Sequence, residues 1–199
     1  RCPLGHRTGR QLMRITLLGT GSPLHDPKRA GPATLVSAEG PSVLVDCGRG
    51  VLMRLAAAGF LPPMLDALLV THLHSDHISD LGDVITTRWV MSPTPRPLTI
   101  YGPVGTREVV ELTMASLSRD IRYRIDHHAD LTEGPLVAVD EVGAGDEFKV
   151  GSATVRVGAT DHNGNRAFYS NYGSRVTISA PGGNTRDFGQ TKGILSTLN

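Results

Sequence analysis

The chain contains 199 residues, with 20 basic and 19 acidic side chains and a formal net charge of +1. This length fits one globular domain. The near-neutral charge excludes binding of nucleic acid through overall positive charge, so such a contact would need a local patch. Only Cys2 and Cys47 are present, which excludes a disulfide framework. With no apolar run of membrane-spanning length and no signal-peptide pattern, we expect a cytoplasmic protein without membrane contact.

The first third of the chain predicts an extension followed by a β-rich segment. Residues 1–12 carry turn formers and charges without periodicity, and we interpret them as an N-terminal extension. Strands are predicted at 15–18, 33–37 and 42–46. A helix is predicted over 51–58 with Gly59 as its C-cap, and the apolar run 65–70 predicts a strand buried on both faces.

The remaining segments continue the alternation of helix and strand. Helices are predicted over 78–91 and 107–114, the second with Thr106 as its N-cap. Further strands are predicted at 98–102, 137–142, 147–150, 154–157 and 175–179. This alternation predicts the α/β class, with one domain over 13–180. Residues 181–199 are polar and unpatterned, and we interpret them as an atypical C-terminal tail.

The segment Thr71-His72-Leu73-His74-Ser75-Asp76-His77 carries the strongest chemical signal in the sequence. His72 and His74 are two residues apart, so an extended backbone projects both to one side, and Asp76 and His77 lie just past the strand end. Imidazole and carboxylate groups are zinc ligands, and sites that combine them with an open position are catalytic. The alternative is a set of unconnected histidines, which their clustering makes less plausible.

The motif His72-x-His74-x-Asp76-His77 resembles the signature of the metallo-β-lactamase superfamily. Residues 15–23 and 44–48 are similar to the opening of its ribonuclease Z and arylsulfatase-like branch. Ala159-Thr160-Asp161-His162 follows a predicted strand at about the distance where that branch supplies a third metal-binding histidine. The resemblance covers residues 13–162 and implies an αββα sandwich with metal ions at one edge of the strands.

The resemblance also implies roles for individual residues. By the family pattern, His72, His74 and His162 bind a first zinc ion, and Asp76 and His77 help to bind a second. A hydroxide between the ions is the nucleophile, and Asp76 is the catalytic residue that orients or deprotonates that water. Asp46 is expected to hold the metal loop from behind the ligands, with a turn-forming carboxylate as the alternative. Mn²⁺ or Fe could replace Zn²⁺ at such a site.

The sequence departs from the family pattern after His162. The branch supplies a bridging aspartate and a further histidine from its second half, and this chain has neither clearly. Asp187 is the nearest carboxylate, fits poorly, and is a weak candidate ligand. We therefore expect one or two zinc ions, with the first bound more tightly, and an incomplete second half of the sandwich.

Three functions are compatible with these features. The leading one is a zinc-dependent hydrolase of the ribonuclease Z-like branch that cleaves a phosphodiester, with tRNA 3′ processing by an endonuclease as the specific case. The alternatives are a β-lactamase-like or carbonyl-ester hydrolase, and a truncated, weakly active zinc-binding protein. The implied partners are a phosphodiester substrate such as RNA and a second copy of the chain in a homodimer.

Two further segments of the sequence are candidate contacts for a substrate or a metal ion. The stretch from Arg119 to Arg124 is the only local basic patch with an aromatic residue, and a solvated face explains it equally well. His127 and His128 are expected in a solvated or substrate-facing loop, with metal binding as the minor alternative.

Overall fold

The computed structural model of the chain describes residues 13–37, 40–160 and 177–181. Within these ranges two β-sheets face each other, and helices cover the outer face of the larger sheet. The predicted extension 1–12, residues 182–199, and the candidate ligands His162 and Asp187 lie outside the described residues.

The larger sheet has six strands in chain order. They are β1 (Arg14–Gly19), β2 (Ala33–Ser37), β3 (Ser42–Val45), β4 (Ala67–Leu69), β5 (Leu98–Gly102) and β6 (Val137–Glu141). The first three strands pair antiparallel, and β3 to β6 pair parallel. The parallel connections carry the helices, as the alternation of the sequence predicts.

The second sheet has three described strands. They are β7 (Glu147–Val150), β8 (Ala153–Thr160) and β9 (Thr177–Pro181); β7 and β8 pair antiparallel, and β8 and β9 pair parallel. The described helices are α1 (Val51–Ala57), α2 (Ser75–Ile78), α3 (Leu81–Met91), α4 (Thr106–Ser116) and α5 (Ser118–His127). A short 3₁₀ turn spans Pro62–Met64.

The central strands are buried on both faces because each face packs against a different layer. Leu44 and Leu68 belong to the core under α1, α3 and α4, whereas Val43, Val45 and Leu69 face the second sheet. On the second sheet, Val150 and Val155 complete that inner core, and Phe148 stacks on Tyr101 with ring centroids 3.9 Å apart. The strand buried on both faces that residues 65–70 predict is confirmed as β4, over Ala67–Leu69.

Gly59 ends α1 as predicted, although it lies one position past the C-cap residue, Ala58. Gly59 has φ 73°, its N–H donates to the carbonyl of Ala56 at 3.0 Å, and the N–H of Phe60 donates to the carbonyl of Leu55 at 2.9 Å. This pair of bonds is a Schellman motif, which requires a left-handed residue that glycine supplies without strain. The buried ring of Phe60 then anchors the chain as it leaves the helix.

The prediction for the start of α4 was wrong in one detail. Thr106 is the first residue of the helix, and its hydroxyl donates to the carbonyl of Pro103 instead of capping the helix. Gly105 occupies the cap position with φ 98°, and the carboxylate of Glu141 accepts the N–H groups of Gly105 and Arg107 at 2.9 and 3.1 Å. The cap therefore comes from the end of β6, which a local sequence pattern does not reveal.

The loop expected at His127 and His128 is wrong for His127, whereas the solvated face expected for Arg119 to Arg124 agrees with the structure, which buries no residue of this stretch. This segment forms α5, which ends at His127, with His128 as its C-cap. The Nδ1 atom of His127 lies 2.8 Å from the carbonyl oxygen of Tyr123, and both histidines are exposed. The signals that favour a helix were two pairs of Asp and Arg residues spaced four apart, since Arg124 bonds Asp120 at 2.7 Å and Arg122 approaches Asp126 at 3.5 Å.

The fold brings the ends of β3 and β4 to one edge of the larger sheet. Asp46 follows β3, and the segment Thr71 to His77 follows β4, the parallel neighbour of β3. The carboxyl ends of parallel strands are where open α/β sheets place their ligand sites. In the part of the chain that the structure describes, no helix is long and apolar enough to cross a membrane.

Candidate functional site

Asp46 occupies the centre of the candidate site. Its backbone adopts the left-handed conformation with φ 60°, which aspartate tolerates better than most residues. Its N–H donates to the carbonyl of Leu69 at 2.7 Å, which fixes it against the end of β4. The side chain is 8% exposed, so its carboxylate depends on protein donors.

Three groups surround the Asp46 carboxylate. The N–H of Thr71 lies 2.8 Å from Oδ1, and the Thr71 hydroxyl oxygen lies 3.0 Å from Oδ1 and 2.9 Å from Oδ2. The Nδ1 atom of His77 lies 2.7 Å from Oδ2. Asp46 therefore connects the end of β3 to both ends of the histidine segment.

Asp76 and His77 are brought together at the start of α2. The Nε2 atom of His77, on the opposite side of the ring from Asp46, lies 3.7 Å from Oδ2 of Asp76. Asp76 is buried, with a side chain that is 6% exposed. An imidazole held by a carboxylate at one nitrogen presents the other nitrogen as a ligand atom, which is the usual arrangement of metal-binding histidines.

His72 and His74 form a second close pair. The Nε2 atom of His72 lies 3.1 Å from Nδ1 of His74, and the ring of His72 also lies 4.0 Å from the ring of His77 between centroids. Burial, reinforced by the neighbouring imidazoles His77 and His74, lowers the pKa of His72 to about 4. His72 is therefore a neutral imidazole at neutral pH, the form that can bind a metal ion.

Gly48 fixes the backbone beneath these side chains. Its N–H donates to the carbonyl of Pro32 at 3.0 Å, and the preceding N–H, of Cys47, donates to the carbonyl of His77 at 2.8 Å. A Cβ atom at Gly48 would lie 2.5 Å from the carbonyl oxygen of Asp76 and 2.6 Å from backbone atoms of Gly31 and Pro32. Only glycine therefore allows these segments to approach so closely.

Asp80 is a site-adjacent residue that the sequence reasoning missed. Its N–H donates to the carbonyl of Cys47 at 2.9 Å, and its carboxylate accepts the N–H groups of Gly50 and Val51 at 2.6 and 3.3 Å. Burial raises the pKa of Asp80 despite these bonds. Asp80 therefore joins the start of α1 to the junction between α2 and α3. Because 30 residues separate Asp80 from Gly50, no local sequence pattern reveals this contact.

The imidazole nitrogens and carboxylate oxygens at this edge are suitable ligand atoms for a divalent metal ion. Two donors bound at about 2.0–2.1 Å to one tetrahedral ion lie about 3.3 Å apart. The pair His72 Nε2 and His74 Nδ1, at 3.1 Å, and the pair His77 Nε2 and Asp76 Oδ2, at 3.7 Å, both approach this spacing. In the described ranges, no group of three or more His, Cys, Asp or Glu side chains is arranged to hold a metal ion. The donors are thus assembled as two pairs.

A separate cavity of about 70 Å³ lies at the opposite end of the parallel strands, beside α3 and residues 130–136. Its buried charged group is Arg88, whose guanidinium donates to the backbone carbonyls of Leu65 and Arg96 at 3.2 and 2.9 Å. The indole N–H of Trp89 donates to the carbonyl of Glu133 at 3.0 Å. These donors hold neighbouring loops in place through their backbone carbonyls.

Comparisons with known proteins agree with this fold and motif. The protein family described as "Anti-Pycsar protein Apyc1" matches residues 13–183. The ribonuclease Z of Mycobacterium bovis (strain BCG / Pasteur 1173P2) is 56% identical over 153 residues, which are 76% of this chain and 55% of that protein. The chain thus spans about half the length of the curated relatives it matches.

Solved structures show the same architecture. The short form of human tRNase Z is 31% identical, with a TM-score of 0.52 over 65% of this chain and 44% of that one. A diphosphatase from the PhnP family is 18% identical, with a TM-score of 0.51 over 76% of this chain and 66% of that one, and it supports the fold alone. The expected α/β class and metallo-β-lactamase fold are confirmed. The chain belongs to the Anti-Pycsar protein Apyc1 family and is a ribonuclease Z-like member of the metallo-β-lactamase superfamily.

Proposed function

We propose that this chain carries the metal site of a zinc-dependent hydrolase that cleaves phosphodiesters, with RNA as the substrate class and tRNA 3′ ends as the specific target. The observation that supports it most is the meeting of two donor pairs, His72 with His74 and Asp76 with His77, at the carboxyl edge of β3 and β4. The substrate class is supported by the relatives named ribonuclease Z and by the human tRNase Z.

In this proposal, the two pairs have separate roles. His72 and His74 hold a first zinc ion together with His162, and Asp76 and His77 help to hold a second, with Asp187 as a weak further candidate. Mn²⁺ or Fe can take the same nitrogen and oxygen donors. A divalent ion there supplies a Lewis acid and lowers the pKa of the water it binds.

The protein residues prepare the site for that chemistry. Asp46 holds the ring of His77 so that Nε2 faces Asp76, and this fixes one donor pair before any ligand arrives. The buried carboxylate of Asp76 is placed to orient the attacking water and to accept its proton. We propose a homodimer as the assembly in which this chain binds its phosphodiester substrate.

Turnover of a generic phosphodiester, bis(p-nitrophenyl) phosphate, tests the proposal. We expect zinc-dependent hydrolysis that is lost on treatment with a chelator and restored by added Zn²⁺. Hydrolysis of a penicillin in place of the phosphodiester would contradict the proposed substrate class. Retained zinc without turnover of either substrate would contradict the enzymatic function and favour a zinc-binding protein.

A matched pair of histidine variants tests the site assignment. His74→Ala should abolish metal binding at the first site, because it removes one donor of the closest pair. His128→Ala should leave metal binding and turnover unchanged, because this exposed residue follows α5. Metal content and phosphodiester turnover of both variants are the measurements, and equal losses from the two would overturn the assignment.

A further inference from the structure

The hydroxyl of Thr71 contacts three groups of the site: the carboxylate of Asp46, Nδ1 of His72 and, at 3.5 Å, Nδ1 of His77. It lies 2.9 Å from Oδ2 and 3.0 Å from Oδ1 of Asp46, and 3.0 Å from Nδ1 of His72. The family motif begins at His72, and the sequence reasoning gave Thr71 no role. The hydroxyl lies between the carboxylate and the histidine that the carboxylate does not reach directly.

The positions of the hydrogen atoms follow from what each group can donate. An ionised carboxylate only accepts hydrogen bonds, so the single hydrogen of the Thr71 hydroxyl points to Asp46. The hydroxyl oxygen then has only lone pairs left for its contact with His72, so Nδ1 of His72 must carry the hydrogen that completes this bond. A neutral imidazole with a hydrogen on Nδ1 has a bare Nε2.

We propose that Thr71 is a positioning residue whose hydroxyl links the carboxylate of Asp46 to the ring of His72. This link, which we call the relay, holds His72 as the Nδ1–H tautomer, with the lone pair of Nε2 facing His74. The proposal deepens the metal-binding function proposed above and rests on it for its purpose. One carboxylate thereby sets both rings: it holds His77 directly through Nδ1 and His72 through the hydroxyl. Both histidines thereby present the lone pair of Nε2 as a ligand atom for a metal ion.

The position of the hydrogen atom between His72 and His74 follows from the same donor and acceptor rules. Their facing atoms lie 3.1 Å apart, and two bare nitrogens at this distance would repel each other. Because Nε2 of His72 carries no hydrogen, Nδ1 of His74 donates to it in the metal-free chain. His74 is therefore the ring whose tautomer must change if its Nδ1 is to bind a metal ion.

Long-range ¹H–¹⁵N NMR correlations of the imidazole rings test the tautomers directly in the metal-free full chain. We expect the Nδ1–H tautomer at His72 and His77 in the parent. In Thr71→Val, which keeps the side-chain shape and the N–H bond to Asp46, His72 should lose this preference while His77 keeps it. A parent His72 with its hydrogen on Nε2, or a His72 tautomer unchanged by Thr71→Val, would overturn the proposal.

Zinc affinity, measured by competition with a chromophoric chelator, provides the second readout. Loss of a group that orients a metal ligand weakens metal binding about 10–100-fold, so we expect this loss in Thr71→Val. Thr71→Ser restores the hydroxyl and should bind zinc as the parent does. Thr86→Val is the matched control, because it removes a buried hydroxyl that bonds the carbonyl of Gly82 at 2.8 Å. A Thr71→Ser variant as weak as Thr71→Val would contradict the relay.

The two readouts separate this inference from the proposed function. If the parent binds no zinc but shows the expected tautomers, and these change in Thr71→Val, the relay is correct and the metal-dependent function is wrong. If the parent binds zinc and cleaves the phosphodiester while Thr71→Val leaves both tautomer and affinity unchanged, the relay is wrong and the function is correct.

Discussion

Gly48 shows how a single residue beneath the site controls the approach of three segments. Its missing side chain leaves room for backbone atoms of Asp76, Gly31 and Pro32, which a Cβ atom would meet at 2.5 to 2.6 Å. These are backbone atoms, so no side-chain rotation relieves the contact. The glycine therefore couples the loop after β3 to the helix that carries Asp76 and His77.

Gly48→Ala should consequently destabilise the protein by about 1–3 kcal/mol, the usual cost of overpacking a closely packed region. Urea denaturation measures the free energy of unfolding. Gly143→Ala is the control, because the nearest atom to its Cβ would be Oδ2 of Asp146 at 3.9 Å, an ordinary contact distance. An equal loss of stability in the two variants would contradict this assignment.

The half-buried carboxyl group of Asp80 should make the free energy of unfolding depend on pH. Burial raises the pKa of its carboxyl group in the folded state, so the folded state binds this proton more tightly than the unfolded state does. The stabilisation from the protonated form is fully present below the unfolded pKa and is lost as pH rises through the folded pKa. Ionisation of Asp80 thus works against folding even though the carboxylate accepts two backbone N–H groups.

The free energies of unfolding of the parent and Asp80→Asn should be compared at pH 4 and pH 7. Asparagine keeps an acceptor oxygen for Gly50 but has no charge to bury. The difference between the two proteins should shift in favour of Asp80→Asn as pH rises. A shift in favour of the parent would show that the backbone bonds to the carboxylate outweigh its burial.

At the scale of elements, α4 depends on a cap supplied by a distant strand. Gly105 has a positive φ and no side chain, so it cannot satisfy the free N–H groups of the first turn itself. Glu141, at the end of β6, accepts two of them, and β6 pairs with β5, which leads into α4. The helix start and the edge of the larger sheet are thereby joined.

Glu141→Ala should lower the free energy of unfolding by about 1 kcal/mol, the typical value of a helix cap. Glu141→Gln keeps the acceptor oxygen and should lose less, because only the charge near the helix start is removed. Thermal or urea unfolding of the two variants is the measurement. If glutamine cost as much as alanine, charge would dominate over the hydrogen bonds.

At the scale of the whole molecule, the sequence predicted the elements whose signals are local. The burial of β4 on both faces and the glycine stop after α1 follow from the run of residues 65–70 and from Gly59, and the structure confirms them. The grouping of His72, His74, Asp76 and His77 after a buried strand also followed from local spacing.

The features that the sequence did not predict depend on contacts between distant segments or on charge pairs. Glu141 reaches α4 across 36 residues, and Asp80 reaches Gly50 across 30. The exposed helix α5 has no buried residue, so apolar periodicity could not identify it, and its charge spacing was the remaining signal. The hydroxyl of Thr71 contacts Asp46, which lies 25 residues away, so the sequence motif gave no sign of this contact.

Metal content per chain tests the central proposal most directly. Elemental analysis of the full chain, purified without added metal, should find about one divalent ion or more per chain, because the two donor pairs lie at one sheet edge. The same analysis of His74→Ala should find the first ion lost. Parent protein without bound metal, or His74→Ala with the same metal content as the parent, would contradict the proposal that these side chains form a metal site.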